Sequence, residues 1–262
     1  MRFTHEMDAE KKIQSKNNVN ETDVIEIHEL EKSFNSNHVL RKFSLNLSKG
    51  ESVAVLGKSG SGKSVLIKCI IGLLKPDAGT IKIFGREIGG FNQNEMDNMR
   101  RRVGFLFQSN ALYDSMSVKE NLAFPLRRHR VHLSEKEQIS LIQQTLSDVG
   151  LEQTMNMMPA ELSGGMKKRI ALARTLILKP EIILYDEPTT GLDPVTSREI
   201  SKLINQVQKK YNTTAMVISH DMSCVHLTSS RVVILLNGQC HASNTYNQLA
   251  KSEDAAVKQF FE

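Results

Sequence analysis

The sequence predicts an α/β fold with a helical insertion, and three observations carry that prediction. A glycine-rich segment at residues 57–64 lies between apolar residues 52–56 and 65–67, in the order strand, loop, helix. Short apolar runs alternate with helical patterns from residue 182 to residue 236. Between residues 118 and 178, by contrast, the pattern is helical. An α/β core around the glycine-rich loop, with a helical lobe inserted into it, accounts for all three.

The first part of the chain predicts a polar tail followed by strands. Residues 1–22 are rich in Lys, Asn and Glu and almost free of large apolar side chains, which is typical of a mobile tail. Organised sequence begins with residues 24–30, and a second alternating run follows at residues 40–47. Residues 80–84 and 103–107 also have the composition of strands.

The second half of the chain alternates between helices and buried strands. Ser134 and Glu137 have the spacing of a capping box, and Gly150 marks the end of that helix. Asp193 followed by Pro194 predicts another helix start. The apolar face of that helix is predicted to consist of Ile200, Leu203, Ile204 and Val207. Further strands are predicted at residues 182–185, 214–218 and 232–236, and a helical tail at residues 241–262, packed on the core or on a partner.

Composition restricts the function classes. No apolar run in the 262 residues approaches the roughly 20 needed to span a bilayer, and no apolar segment follows the N-terminus, so we expect a soluble intracellular protein. Cys69, Cys224 and Cys240 lack metal-like spacing and are expected to be buried thiols. The arginine clusters at residues 100–102 and 127–130 lack interleaved aromatic side chains, so the net charge of +5 does not indicate a nucleic-acid partner.

The glycine-rich loop has the composition of a phosphate cradle. Glycines allow main-chain N–H groups to turn toward an anion, and the following helix adds free amides and the positive end of its dipole. Lys63 is placed to reach the β- and γ-phosphates of a nucleoside triphosphate, and the Ser64 hydroxyl to hold Mg²⁺. The alternative, a flexible loop that binds nothing, leaves the flanking strand and helix unexplained. The expected nucleotide contacts are Gly57, Lys58, Ser59, Gly60, Ser61, Gly62, Lys63, Ser64 and Val65.

Two adjacent carboxylates are candidates for metal binding and catalysis. Asp186 ends the apolar run 182–185, so it lies at the carboxyl end of a buried strand, where open α/β sheets bind ligands. We expect it to coordinate Mg²⁺ through water. Glu187 is placed to polarise an attacking water, which suits hydrolysis rather than transfer to a hydroxyl group. The alternative for this pair is a helix cap or a solvated turn.

A second anion site is predicted near Ser163. Ser163, Gly164 and Gly165 precede a helical run, so that a hydroxyl group, free amides and a helix dipole coincide. An ordinary capped helix would explain the apolar stripe that follows, but not the glycine pair.

Taken in order, these motifs resemble those of the nucleotide-binding subunits of ABC transporters. Residues 57–64 resemble the Walker A loop, residues 162–166 the signature, and residues 182–187 the Walker B strand with its catalytic glutamate. The resemblance extends over residues 24–238 and assigns four further residues. These are the Q-loop glutamine Gln108, the D-loop residue Asp193, the switch histidine His220 and, where tyrosine is usual, the adenine-stacking aromatic Phe34. Taken singly, Gln108 would suit a polar loop, His220 a structural role and Phe34 the core.

The resemblance implies a fold and a mechanism. The fold is a P-loop NTPase core, within an ATPase domain at residues 23–240, with an N-terminal antiparallel β subdomain and a helical subdomain inserted at about residues 110–178. Two copies would enclose ATP and Mg²⁺ between them, residues 163–165 of one facing the γ-phosphate bound by Lys63 of the other. Glu187, His220 and Lys63 would act in hydrolysis, and Ser64, Gln108 and Asp186 would surround the metal. A membrane-embedded permease would receive the movement.

The kind of transporter is indicated by fewer residues. Met166 at the end of the signature and the segments 110–118 and 121–126 resemble the ATPases of Mla-type (MCE) lipid transporters. Such a subunit would work at the cytoplasmic face of the inner membrane with a permease and a substrate-binding MCE protein, moving phospholipid between envelope membranes. Two alternatives stay open: the ATPase of an importer for another small solute, and a soluble ABC ATPase of iron–sulfur cluster assembly.

Overall fold

The fold contains two β-sheets, which a computed structural model describes over residues 23–129 and 131–262. The tail predicted at residues 1–22 lies outside the described residues. The strands are β1 (Asp23–Phe34), β2 (Asn37–Ser48), β3 (Ser52–Leu56), β4 (Ala78–Ile83), β5 (Arg86–Glu87), β6 (Val103–Leu106), β7 (Ile182–Asp186), β8 (Thr214–Ile218), β9 (Arg231–Leu236) and β10 (Gln239–Asn244). The first sheet is antiparallel, in the order β2-β1-β4-β5. The second has the order β10-β9-β3-β8-β7-β6, and its neighbours pair in parallel except β10, which pairs antiparallel with β9.

The helices are placed largely where the sequence predicts them. They are α1 (Lys63–Ile70), α2 (Gln93–Arg102), α3 (Val118–Arg128), α4 (Glu135–Asp148), α5 (Gly164–Leu176), α6 (Pro194–Tyr211), α7 (Met222–Thr228), α8 (Tyr246–Leu249) and α9 (Ala255–Lys258). The predicted capping box is confirmed, since the Ser134 hydroxyl accepts from the Glu137 main-chain N–H at the start of α4. Between β6 and β7 the described residues form only helices and turns. The α/β core with a helical insertion is therefore confirmed.

Alternating side chains of the parallel strands contribute to separate cores on the two faces of the sheet. In β7, Ile182 and Leu184 pack with the antiparallel sheet and α1, whereas Ile183 and Tyr185 pack with the helices between β6 and β7. Neighbouring β8 divides its residues in the same way, whereas β3 and β9 share theirs between the first core and a third. Because successive side chains of a strand point to opposite faces, each of these strands contributes to two cores. All five residues of β7 are buried, as predicted for a central parallel strand.

The C-terminal tail differs from its prediction, because it is not helical from residue 241. Asn237 and Gly238 have φ values of 51° and 78°, and the chain returns as strand β10, antiparallel to β9. An Asn-Gly pair at two positive φ angles is the preferred connection of a β-hairpin, which explains the correction. Helices α8 and α9 then pack against the core of the same chain, with Leu249 and Val257 buried there.

Candidate functional site

A cavity of about 720 Å³ opens where strand β3 ends and α1 begins. It contains most of the residues that the sequence predicts to bind nucleotide, from widely separated parts of the chain. Its lining includes Phe34, Gly57, Lys58, Ser59, Gly60, Gly62, Lys63, Ser64, Val65, Gln108, Glu187 and His220. Ser61 is the loop member outside this lining, and its buried Oγ lies under the loop beside Gly57 without a hydrogen-bond partner among the described residues.

The phosphate loop depends on Gly62 and on the position of Lys63. Gly62 has a φ of 103°, and a Cβ there would lie 2.9 Å from the Cγ1 of Val39, so a side chain is excluded both by conformation and by space. The Lys63 ammonium donates to the carbonyl oxygens of Gly57 at 2.7 Å and Lys58 at 3.0 Å. Burial lowers the pKa of Lys63, while the carboxylates of Glu187 and Asp186 oppose that shift. A cation therefore lies at the centre of the loop.

Asp186 is suited to a metal ion. It is the last residue of β7, 9% exposed, and its Oδ1 is buried without a hydrogen-bond partner among the described residues. Burial, followed by the neighbouring Glu187 carboxylate, raises the pKa of Asp186, while Lys68, Lys63 and the Ser64 hydroxyl act in the opposite direction. A buried acceptor that lacks a donor fits a ligand of a hard divalent cation, directly or through water. Asp186 and Ser64 are the residues that would hold Mg²⁺.

Glu187 lies on a strained backbone next to His220. Its φ is 50°, in the left-handed region, and its main-chain N–H donates to the carbonyl oxygen of Ile218 at 2.8 Å. Its Oε2 lies 2.8 Å from the Nδ1 of His220 and accepts from the Thr190 hydroxyl at 3.3 Å. These contacts fix one oxygen of the carboxylate at the cavity wall. The arrangement can orient a water molecule toward a bound phosphate.

Phe34 and Gln108 enter the cavity from its two sides. Phe34 ends β1 and is 44% exposed, so it is not a core residue, and its ring is available for stacking on a base. Gln108 follows the end of β6 and is exposed. Both line the cavity, and neither side chain forms a hydrogen bond to another described residue, although the Gln108 main-chain carbonyl accepts from Lys168.

The predicted second anion site lies in a different cavity, of about 490 Å³. Ser163, Gly164 and Gly165 line it together with Asp193. Ser163 caps α5 by accepting from the Met166 N–H at 3.2 Å, which confirms the predicted helix start. Within one chain, therefore, these residues do not join Lys63 around a common cavity.

Asp193 has a defined structural task, although the sequence predicts a nucleotide contact for it. Its Oδ1 caps α6 by accepting from the Val195 and Thr196 N–H groups at 3.0 Å, and its Oδ2 accepts from the Thr196 hydroxyl. The Cγ2 of Thr196 approaches Gly165 so closely that an added Cβ there would lie 2.7 Å away. Close packing therefore requires glycine at position 165, in addition to the role in anion binding that is proposed for this residue.

Several residues of the site have no signal in the sequence. Val39, Met222, Gln259 and Phe260 also line the first cavity, the last two arriving from the C-terminal tail. Lys168 is buried next to the Gln108 loop, although a lysine on a helix is ordinarily exposed. These contacts join segments that are distant in the sequence, so no local sequence pattern predicts them.

This site defines a class of protein, a P-loop ATPase whose candidate metal and water ligands follow β7, an interior strand of the second sheet. Comparison with a solved structure agrees. The ATP-binding cassette MJ0796, in a dimeric post-hydrolysis state bound to ADP and Pi, matches with a TM-score of 0.77 and 30% identity, over 84% of this chain and 98% of that one.

Residues 40–190 match the ABC transporter family, and the chain belongs to that family. Its relatives include TRIGALACTOSYLDIACYLGLYCEROL 3 of Arabidopsis thaliana chloroplasts, 39% identical over 92% of this chain and 74% of that protein. The intermembrane phospholipid transport protein MlaF of Haemophilus influenzae is 40% identical over 82% of this chain and 81% of that protein. The methionine import protein MetN of Campylobacter jejuni is 35% identical over 90% of this chain and 75% of that protein. The protein is thus an ABC transporter ATPase that binds ATP with Mg²⁺.

Proposed function

We propose that this ATPase powers a transporter that moves phospholipid between the membranes of a bacterial envelope. The observation that carries the lipid assignment is the similarity to two relatives whose names refer to lipids, at 39% and 40% identity. Met166 and the segment 110–118 support it, because they are the positions where the sequence resembles Mla-type ATPases. A methionine importer is similar at 35%, so an importer for another solute is the second candidate.

The charged and polar residues in and beside the first cavity divide the tasks of ATP binding and hydrolysis between them. Lys63 and the loop amides neutralise the charge of the phosphates, while Asp186 and Ser64 hold Mg²⁺, which supplies further positive charge when bound. Glu187 orients and polarises the attacking water, and His220, whose Nδ1 lies 2.8 Å from the Glu187 carboxylate, stabilises the reacting phosphate beside it. Phe34 stacks on the base. Fixed charges and positioned water are what phosphoryl transfer requires.

The second copy of the chain completes this site. Support comes from the separation of the two cavities, since the helix start at Ser163 has every feature of an anion site but does not face Lys63 of its own chain. In a pair of copies related by a two-fold axis, Ser163 of one faces the γ-phosphate bound to the other. Gly191 and Asp193, beside the signature, then lie at the contact between copies.

A surface next to Gln108 is suited to a membrane permease. Phe107 and Tyr113 are 38% and 42% exposed, and the turn that begins at Tyr113 is held by the buried Asn121. The Asn121 side chain bonds both main-chain groups of Tyr113 and the carbonyl oxygen of Met116 at 2.9–3.1 Å. A rigid loop that exposes aromatic rings is typical of a protein contact. None of the helices in the described ranges is long and apolar enough to cross a membrane. Because the chain belongs to the ABC transporter family, we assign the bilayer-spanning part of the transporter to the permease and place this subunit on its cytoplasmic face.

The experiment for the lipid assignment is purification of the intact complex from its native membrane. We expect a permease and an MCE protein to copurify, with phospholipid bound. A complex that is consistently free of lipid and carries another solute would contradict the assignment.

The iron–sulfur alternative is tested by fractionation. The subunit should sediment with membranes and leave them when the permease gene is deleted, whereas a soluble assembly ATPase would stay in the supernatant throughout.

A further inference from the structure

Lys168 of helix α5 is a buried lysine that the hydrolysis described above does not use. The residue is only 3% exposed. Its ammonium group donates to the main-chain carbonyl oxygen of Gln108 at 2.7 Å. Burial lowers the pKa of Lys168, and the carboxylates of Asp186 and Glu187 oppose that shift. Because a buried ammonium group is costly without a specific partner, its contact with the Gln108 loop requires an explanation beyond packing.

The loop that Lys168 contacts has a strained backbone. Asn110 and Ala111 have φ values of 64° and 50°, in the left-handed region that residues with a Cβ rarely adopt. Arg174, further along α5, donates to the carbonyl oxygens of Ala111 at 2.6 Å and Asn110 at 3.2 Å. Two cations of one helix thus fix three carbonyl groups of this loop. The position of Gln108 therefore depends on the position of α5.

The same helix begins at the second anion site. Ser163 is its N-cap and Gly164 its first residue, and both line the second cavity. At about 1.5 Å of rise per residue, Lys168 lies roughly 7 Å along the helix from Ser163. Because successive main-chain hydrogen bonds join the residues of an α-helix, a movement of the helix start toward a bound phosphate would carry Lys168 with it.

We propose that Lys168 is a positioning residue that joins the two halves of the composite ATP site. It connects the helix start at Ser163, which faces the nucleotide of the second copy, with Gln108, which faces the nucleotide of its own chain. This inference rests on the proposed dimer. Lys168 touches neither nucleotide. It acts by fixing the Gln108 carbonyl, so that Gln108 takes its place in the metal site when the helix start engages phosphate.

The test compares three variants of the full-length chain in steady-state ATP hydrolysis. We expect Lys168→Met to lower kcat by about tenfold, the usual scale for losing a hydrogen bond to a charged group, while the affinity of each chain for ATP stays within about twofold. Lys168→Arg retains a cation and should recover most of kcat. Lys167→Met, which removes the same charge from the neighbouring position, should match the parent. An unchanged kcat in Lys168→Met, or an arginine variant as slow as methionine, would overturn the proposal.

A second measurement separates this proposal from the proposed dimer. In a Glu187→Gln background, light scattering should show ATP-dependent dimers, and adding Lys168→Met should weaken dimerisation by about tenfold. Equal dimerisation with and without Lys168→Met overturns the coupling and leaves the dimer intact. A background variant that stays monomeric at saturating ATP overturns both. If Lys168→Met unfolds below the assay temperature, Lys168→Gln, a shorter neutral side chain, replaces it with the same expectations.

Discussion

At the scale of single residues, the site places a buried cation and two carboxylates around the phosphate loop. Lys63 donates to two carbonyl oxygens of its own loop, and Asp186 has a buried oxygen without a donor. Glu187 is held in the left-handed region with its carboxylate beside His220. Strain and unpaired charge of this kind reduce stability and are retained where a ligand satisfies them. Three predictions belong to this scale.

Glu187→Gln should retain ATP binding and lose most hydrolysis. The amide has the size of the carboxylate but cannot accept a proton from the attacking water, and loss of a general base ordinarily costs about 10²–10⁴-fold in rate. Single-turnover hydrolysis with radiolabelled ATP measures the effect. Glu181→Gln, at an exposed carboxylate paired with Arg102, is the control and should be normal. Near-parental hydrolysis in Glu187→Gln would remove this residue from its assigned role.

Lys63→Ala should weaken ATP binding itself. In the proposed cradle the ammonium group would make charge-assisted bonds with the phosphates, each worth about 1.5–3 kcal/mol, so the affinity for ATP should fall roughly ten- to hundredfold. Isothermal titration calorimetry of the variant with ATP and Mg²⁺ measures this directly. The exposed Lys75→Ala serves as control for the loss of one positive charge. Equal affinity in Lys63→Ala and the parent would contradict the phosphate cradle.

Asp186→Asn should stabilise the nucleotide-free protein and abolish its Mg²⁺-dependent hydrolysis. Because burial raises the pKa of Asp186 in the folded state, its ionisation at neutral pH destabilises the fold, and a neutral amide removes that cost. The difference in Tm between Asp186→Asn and the parent should shrink as the pH falls toward the ordinary pKa of an aspartate, because Asp186 of the folded parent is then protonated and neutral as well. Thermal unfolding between pH 7 and pH 4 measures it. A lower Tm for Asp186→Asn than for the parent at neutral pH would contradict this prediction, because it would show that neighbouring groups stabilise the Asp186 carboxylate by more than burial costs it.

At the scale of elements, the contact between α5 and α6 places the second anion site. Gly165 and Thr196 pack so closely that a Cβ on residue 165 would lie 2.7 Å from the threonine methyl group. The Thr196 hydroxyl is in turn bonded to Asp193, the N-cap of α6. The two helix starts are therefore fitted to each other.

Gly165→Ala should separate these helix starts and lower both stability and hydrolysis. Overpacking of this kind costs about 1–3 kcal/mol. Adding Thr196→Ser removes the opposing methyl group but keeps the hydroxyl for Asp193, so the double variant should recover most of the loss. Urea unfolding of the four proteins of this cycle gives the coupling energy. Simple additivity of the two substitutions would exclude the packing explanation.

Elements with a local signal are predictable from the sequence, and elements defined by distant partners are not. The phosphate loop, strand β7 and the caps at Ser134 and Asp193 follow from patterns within a few residues. Strand β10 had such a signal in Asn237-Gly238, a hairpin turn that the helical interpretation of the tail overlooked. Strand β5 has only two residues and is stabilised by pairing with β4, so nothing local predicts it.

At the scale of the whole molecule, the two helix starts that the sequence predicts to bind phosphate line different cavities of one chain. The spacing of the motifs predicts both helix starts. It does not predict that they lie apart in one chain, because the distance between them depends on tertiary packing. The same holds for Phe260, which reaches the first cavity from the far end of the chain, and for Lys168, whose burial depends on the Gln108 loop. Residues of the site that face ligand are predictable by chemistry, and residues that face other elements are not.

Completion of each ATP site by a second copy is the central proposal for this protein, and site-directed crosslinking tests it most directly. Two Glu187→Gln proteins are mixed, one carrying Ser59→Cys at the loop and the other Ser163→Cys at the helix start, with Cys240→Ser in both. A short bifunctional reagent should join the two chains when ATP and Mg²⁺ are present and leave them separate without nucleotide. The contradicting result is an amount of crosslinked product that does not rise when ATP and Mg²⁺ are added, in chains that calorimetry shows to be saturated with ATP.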